Sequence, residues 1–354
     1  MRESHIKTVL LWPQVVNVRI RPVLKIRNSK VTFLGKVAAI LISIVFLLLI
    51  GEASTRFYVR DHKIYDLEMI RYALEVKKIE PNSKIKYIQL PLISTRLMNV
   101  PFNTNSDGLR DREFGIEHPG KFRGEFFGDS ITMGWGVNNQ YTFKNRLERS
   151  LSATRPVEIM NFGVANYNTA QQYQLFLDKG LKYKPNMVSV FYHLRNAKKA
   201  QDPNPFYWLG NSTLISFYWY KLRALNPMSS EKHFITFHRS LYLDDSEGWQ
   251  ETQQALLAWN NLSKTKGFSF NVIILPDFHQ LSAYPFEHEN QIVSDFLKKN
   301  NINQLNLAPF FGEIKNAREL WVSTDDSHPN RIGHKLIADY SFGFLNKSLE
   351  ESKF

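Results

Sequence analysis

The sequence predicts an α/β protein: a parallel sheet covered by helices on both faces. Three observations carry this. From Gly124 onward, short apolar runs alternate with longer amphipathic ones. The chain has 354 residues, 43% apolar and 22% charged, enough for one large domain with a sizeable core plus an appendage. The stretch Phe126-Phe127-Gly128-Asp129-Ser130-Ile131-Thr132 sets a serine directly after an apolar run and a glycine, ahead of a helical pattern. In open α/β sheets that position holds ligands and reacting groups.

In chain order, residues 1–30 read as a basic cytoplasmic tail, with an untethered disordered tail as the alternative. Residues 1–36 hold eight Lys/Arg against Glu3 alone, so +7 of the total +12 lies ahead of the apolar run. A nucleic-acid-binding protein spreads its basic groups over a folded face, so nucleic acid is not expected as a partner. Residues 31–53, with Val37–Gly51 uncharged throughout, suffice for a transmembrane helix acting as a signal anchor. A cleaved signal peptide, ending near Gly51-Glu52-Ala53, and a buried core helix are the competing readings. Both membrane readings keep the basic flank in the cytoplasm and export everything after Glu52.

Residues 54–120 form a mixed polar segment expected at the edge of the main domain. It contains a helical pattern at Tyr65–Val76 and a dense turn at Asn103–Gly108. The main domain, 121–354, begins with a strand at Gly124–Phe127. A helix with Phe143, Leu147 and Leu151 on one face follows. Further strands are expected at Val157–Val164, Met187–Leu194, Phe270–Pro276 and Asn303–Leu307. Helices are expected at Thr169–Tyr183 (stopped by Pro185), Trp249–Lys266, Glu287–Lys299 and Asn330–Leu349. An insertion at about 201–248 carries two aromatic clusters, Phe206-Tyr207-Trp208 and Phe217-Tyr218-Trp219-Tyr220. These suit stacking on sugar rings or the core of a small helical subdomain.

The composition also bounds the chemistry. With no cysteine there is no disulfide framework and no thiolate metal site, and ten histidines form no HExxH pair. No metal and no cofactor is expected. The strand ends instead deliver Ser130, then Gly163, then Asn196, and near the C-terminus Asp325 and His328. Serine, histidine and carboxylate are the parts of a nucleophilic triad, which is recognised by role rather than by order. A carboxylate three residues from a histidine can hold its Nδ1 proton and leave Nε2 for the serine. Each residue also has a plainer role: Ser130 in a polar turn, Gly163 ending a strand, Asn196 capping a helix, Asp325 and His328 capping the last helix.

Taken in order, these blocks resemble the SGNH/GDSL hydrolase family. Gly128-Asp129-Ser130 is similar to its first block, Gly163 to the second, Asn196 to the third, and Asp325-x-x-His328 with Pro329-Asn330 to the last. Asn105 to Asp111 resembles a stretch preceding the first block in membrane-anchored bacterial members. The matched span is about 124 to 349. No Gly-x-Ser-x-Gly elbow is present. The resemblance implies a three-layer α/β/α sandwich with a flavodoxin-like parallel sheet, preceded by one N-terminal transmembrane helix. It also implies roles. Ser130 is the nucleophile, His328 the general base, and Asp325, with Asp326 as rival, its orienter. The oxyanion hole consists of the Ser130 and Gly163 backbone N–H groups and the Asn196 amide. The third block departs from the family, because Leu194-Arg195-Asn196-Ala197 stands where Gly-x-Asn-Asp is usual.

The implied function is serine-esterase chemistry through an acyl-enzyme. The implied substrate is an acylated, often acetylated, cell-surface glycan or lipid-linked sugar. An O-acyltransferase would use the same residues. A catalytically silent glycan-binding or assembly protein is the third reading, motivated by Ala197 and the aromatic insertion.

Overall fold

The computed structural model describes residues 32–80, 83–202, 207–224 and 231–352. The tail at 1–30 and the cluster at Phe206–Trp208 therefore lie outside the described residues or their side chains. The chain divides into two compact units, residues 1–50 and 51–354. Helix α1 (Phe33–Val59) crosses that division and is long and apolar enough to span a membrane; none of its residues is buried. A helix apolar all round needs either protein or lipid around it.

The second unit opens with α2 (Tyr65–Glu75) and two short antiparallel pairs, β1 (Lys77–Ile79) with β2 (Tyr87–Gln89) and β3 (Ser94–Leu97) with β4 (Val100–Asn103). The alternating region follows: β5 (Phe122–Gly128), α3 (Ser130–Met133), α4 (Phe143–Leu151), β6 (Val157–Gly163), α5 (Thr169–Leu175) and β7 (Met187–Tyr192). The insertion contributes α6 (Thr213–Ala224) and α7 (Glu231–Ser240). Then come α8 (Glu247–Lys266), β8 (Ser269–Ile274), α9 (Glu287–Lys299), β9 (Asn303–Asn306) and α10 (Ala308–Phe311). A hairpin of β10 (Trp321–Ser323) and β11 (Asp326–Pro329) leads into α11 (Arg331–Glu351).

Strands β5 to β9 form one parallel sheet in the order β6-β5-β7-β8-β9. This is the flavodoxin-like order, whose switch point lies at the carboxyl end of the first strand. Successive side chains of β5 serve opposite cores. Phe126 packs with Phe143, Leu147 and Ile337 under α4 and α11, and Phe127 packs with Phe176 and Trp259 under α5 and α8. Both phenylalanines are fully buried, and truncating either to alanine is expected to cost about 3–5 kcal/mol.

The helix expected over Thr169–Tyr183 is α-helical only to Leu175. A π turn (Phe176–Gly180) and a 3₁₀ turn (Leu181–Tyr183) complete it. In the insertion, Tyr218 and Trp219 stand 60% and 61% exposed rather than packed in a subdomain core. Segment 54–120 contributes Tyr72, Val76, Leu97, Met98 and Phe102 to a third cluster with Met133 and Trp135, directly behind the serine turn.

Candidate active site

Strand β5 ends in a turn that admits no side chain. A Cβ on Gly128 would lie 2.0 Å from Thr132 Oγ1 and 3.0 Å from the Phe191 carbonyl. Asp129 caps the following turn, its carboxylate accepting from Ile131 N at 3.0 Å. Ser130 is thereby held at the carboxyl end of the central strand. Behind it, the buried Arg110 donates to the carbonyls of Met133 (3.3 Å), Gly134, Val137 (2.8 Å) and Pro101 (3.1 Å). Asp111 accepts from Asn161 N at 3.0 Å and from Lys144 Nζ at 3.0 Å. The Asn105–Asp111 stretch thus fastens the turn from below.

Ser130 Oγ lies 2.7 Å from His328 Nε2, although 198 residues separate them. The other ring nitrogen, Nδ1, lies 2.5 Å from Asp326 Oδ1, and the same oxygen accepts from His328 N at 3.0 Å. Asp326 Oδ2 accepts from the indole N–H of the buried Trp135 at 2.9 Å. Burial pushes the Asp326 carboxyl up, but the neighbouring imidazole and the hydrogen bonds from His328 and Trp135 outweigh it and hold it below the usual carboxylate range. The Tyr65 ring lies against His328 with centroids 5.5 Å apart. Burial raises the Tyr65 hydroxyl to about 12.

The carboxylate assigned from the sequence is corrected here. Asp325 is exposed at the tip of the hairpin, accepting from Ser323 Oγ at 2.6 Å and from Tyr65 N at 3.4 Å. The reason is strand periodicity. Asp326 and His328 lie in β11, where side chains two apart share a face. A three-residue spacing would put the two groups on opposite faces. Nor do Asp325 and His328 cap the last helix; Asn330 does so, accepting from Ile332 N and Gly333 N.

Two proposed oxyanion donors are also placed otherwise. The Gly163 N–H donates to Asn161 Oδ1 at 2.9 Å. A Cβ at Gly163 would come within 2.2 Å of Met133 N, so this glycine permits close packing of α3 on β6. The Asn196 amide nitrogen donates to Asp129 Oδ2 and to the Tyr167 carbonyl, each at 3.2 Å, while its oxygen accepts from His193 N at 2.9 Å. Both amide hydrogens are committed to the protein. Asn196 shapes the short 3₁₀ turn Leu194–Ala197 and braces Asp129. Three residues beyond Gly163, Asn166 faces the site. Its φ of 67° is left-handed, it lines the same pocket as Ser130, and among the described residues its N–H meets no acceptor. The signal for it was asparagine in the turn Ala165-Asn166-Tyr167-Asn168, asparagine being several-fold enriched in that backbone region.

The site opens into a cavity of about 370 Å³. Its wall includes Tyr65, Asn166, Asn168, Gln171 and His193. A second imidazole–carboxylate pair borders it: His193 Nε2 lies 3.4 Å from Asp277 Oδ2, and His279 Nδ1 lies 2.9 Å from Asp277 Oδ1. Neither Asp277 nor Trp135 carried a sequence signal, because each acts only through a partner distant in the chain.

No family profile matches the chain, and no curated protein does. Among solved structures it is similar to a two-domain esterase active on acetylated mannans (16% identity, TM-score 0.44, 65% of this chain and 50% of the other). This chain thus spans half the length of that protein. It is also similar to an acetylxylan esterase from Geobacillus stearothermophilus (17% identity, TM-score 0.41, 66% and 95%). A third is a lipolytic protein of the G-D-S-L family from Desulfitobacterium hafniense DCB-2, at 16% identity and TM-score 0.39 over 62% and 98%.

Proposed function

We propose that this chain is a serine esterase of the SGNH/GDSL type that removes a small acyl group from a glycan outside the cytoplasm. The observation that carries the proposal is the relay Ser130 Oγ–His328 Nε2 (2.7 Å) and His328 Nδ1–Asp326 Oδ1 (2.5 Å) at the carboxyl end of the central strand. Asp326 holds the proton on Nδ1, so Nε2 is the free base. His328 takes the Ser130 proton as Oγ attacks the ester carbonyl. The tetrahedral oxyanion is met by the backbone N–H groups of Ser130 and Asn166. Collapse breaks the C–O bond, and His328 returns its proton to the departing sugar oxygen. Water, deprotonated by His328, then attacks the acyl-enzyme, releasing the carboxylic acid and restoring Ser130 Oγ–H. Each oriented oxyanion donor is typically worth about 10²–10³ in rate.

The polar wall supports a sugar rather than a long acyl chain, because amides and phenols match hydroxyls and would be left unsatisfied by lipid tails. The basic flank ahead of the apolar helix supports an anchored, exported domain. The test is covalent trapping of the full-length protein by an alkyl fluorophosphonate. A single adduct mapping to Ser130 is expected; an unmodified serine, or an adduct elsewhere, overturns the assignment.

A further inference from the structure

We propose that the Ser130 pocket contains an anion subsite formed by Lys77, Arg195 and Lys198, which takes a carboxylate or phosphate carried by the acylated glycan. This rests on the esterase reading for the location of the scissile bond, but not for the existence of the subsite.

Seven side chains of the pocket wall carry a formal charge: Lys77, Asp129, Arg195, Lys198, Lys199, Asp202 and Asp277. Four are already hydrogen-bonded or paired within the protein. Asp129 accepts from Ile131 N and the Asn196 amide. Asp277 accepts from His279 N at 2.9 Å and faces both His193 and His279. Asp202 pairs with Lys86 at 2.8 Å, and Lys199 pairs with Glu247. Three cations remain, and among the described residues none has a carboxylate partner.

Arg195 is exposed, whereas the two lysines are half-buried. The half-buried Lys77 ammonium lies 3.8 Å from the centre of the Tyr87 ring and 4.9 Å from that of Tyr72. Ring faces attract a cation but do not neutralise it. Burial accordingly pushes this ammonium down to about 7. Lys198 donates to Gln201 Oε1 at 2.7 Å, a neutral acceptor. Burial and the nearby Arg195 guanidinium push Lys198 below the ordinary lysine value. Arg195 in turn acts electrostatically on the Tyr65 hydroxyl, whose ring lies against His328. Arg195 and Lys198 therefore repel each other, and Lys77 lines the same pocket wall. A neutral glycan leaves that repulsion in place. A bound anion removes it and recovers the desolvation of Lys77, while Arg195 offers a bidentate fork for carboxylate or phosphate.

The test is calorimetric binding to the full-length Ser130→Ala protein in detergent, which needs no turnover. Three ligands are compared: an O-acetylated neutral xylo-oligosaccharide, an O-acetylated oligouronate of equal length, and an O-acetylated sugar phosphate. At least one anionic ligand is expected to bind about tenfold or more tightly than the neutral one, with the gap shrinking as salt is added. The tighter of the two names the anion. Adding Arg195→Gln and Lys198→Gln should reduce the gap to within about threefold. The charge-keeping pair Arg195→Lys and Lys198→Arg, checked for an unchanged melting temperature, should retain most of it. Equal binding of all three ligands, or a preference that survives the double glutamine change, overturns the subsite. Hydrolysis of a neutral aryl acetate by the unmodified protein tests the esterase reading separately.

Discussion

Two buried carboxylates with imidazole partners border one pocket: Asp326 beside His328, and Asp277 between His193 and His279. His328 and Asp326 sit on a hairpin after the sheet, 2.5 Å apart; His193 and Asp277 sit on the ends of β7 and β8, 3.4 Å apart. Both carboxylates are buried, and both are held below the usual range despite burial by the imidazoles beside them. The pairs differ in what the other ring nitrogen meets. That of His328 faces Ser130 Oγ. That of His193 accepts from the Arg195 backbone N–H at 3.4 Å and lies 3.7 Å from Asp129 Oδ2. A carboxylate sets the tautomer in both cases. On the proposed mechanism, the partner on the far side decides whether the ring moves a proton or holds a loop.

The comparison is most easily broken by removing one member of each group. Ser130→Ala and His328→Ala should each lower kcat for an aryl acetate by at least about 10³-fold, and the double variant should lose little more, because such residues act as a unit. Losses that multiply in the double variant would show that the two do not share a step. His193→Gln should change kcat by less than about tenfold while lowering the melting temperature.

Next in size is Asp326→Asn. An amide can hold the wrong tautomer, so kcat should fall by about 10²–10⁴-fold with Tm changed less than by the pocket-wall variants. Asp277→Asn should do the reverse, leaving kcat within about tenfold and costing about 2–4 kcal/mol of stability by breaking a buried pair. The pH dependence has a definite sign. The Asp277 carboxyl is depressed in the folded state. Its contribution is therefore complete above an unfolded value of about 3.9 and is lost as pH falls toward the folded one. The stability gap between parent and Asp277→Asn, followed by denaturant melts, should narrow on acidification below about pH 4.

Asn196→Ala distinguishes a brace from an oxyanion donor. It removes the amide donor from Asp129 and Tyr167 and the acceptor from His193 N. A cost of about 1–3 kcal/mol in denaturant melts is expected, with kcat reduced less than tenfold. A 10²-fold rate loss at unchanged stability would return Asn196 to the oxyanion site. Smallest of all should be Asp325→Asn, within about 0.5 kcal/mol and twofold in kcat, since its carboxylate is exposed.

The sequence by itself determined what depends on local pattern. Apolar runs of strand length alternating with amphipathic helices fix a covered parallel sheet. Glycine before Ser130 and the apolar run after a basic tail are equally local. Ser130 and His328 were legible because each stands in a short motif, Gly128-Asp129-Ser130 and His328-Pro329-Asn330, and the two follow in family order. The carboxylate was not, because Asp325 and Asp326 differ by one residue and only the conformation of the segment chooses between them. A turn or helix would have favoured the wider spacing; pairing with β10 makes the segment extended and brings Asp326 and His328 to one face. The proposal of Asn166 rather than Gly163 has a related reason: which N–H is left open at the pocket depends on where β6 stops pairing with β5, and pairing continues through Gly163. The fate of the Asn196 amide, the Trp135 bond to Asp326 and the placing of Lys77 on one pocket wall with Arg195 and Lys198 all join residues remote in the chain. Tertiary packing alone decided them, because hydrogen bonds and charges act over a few ångströms of space rather than along the chain.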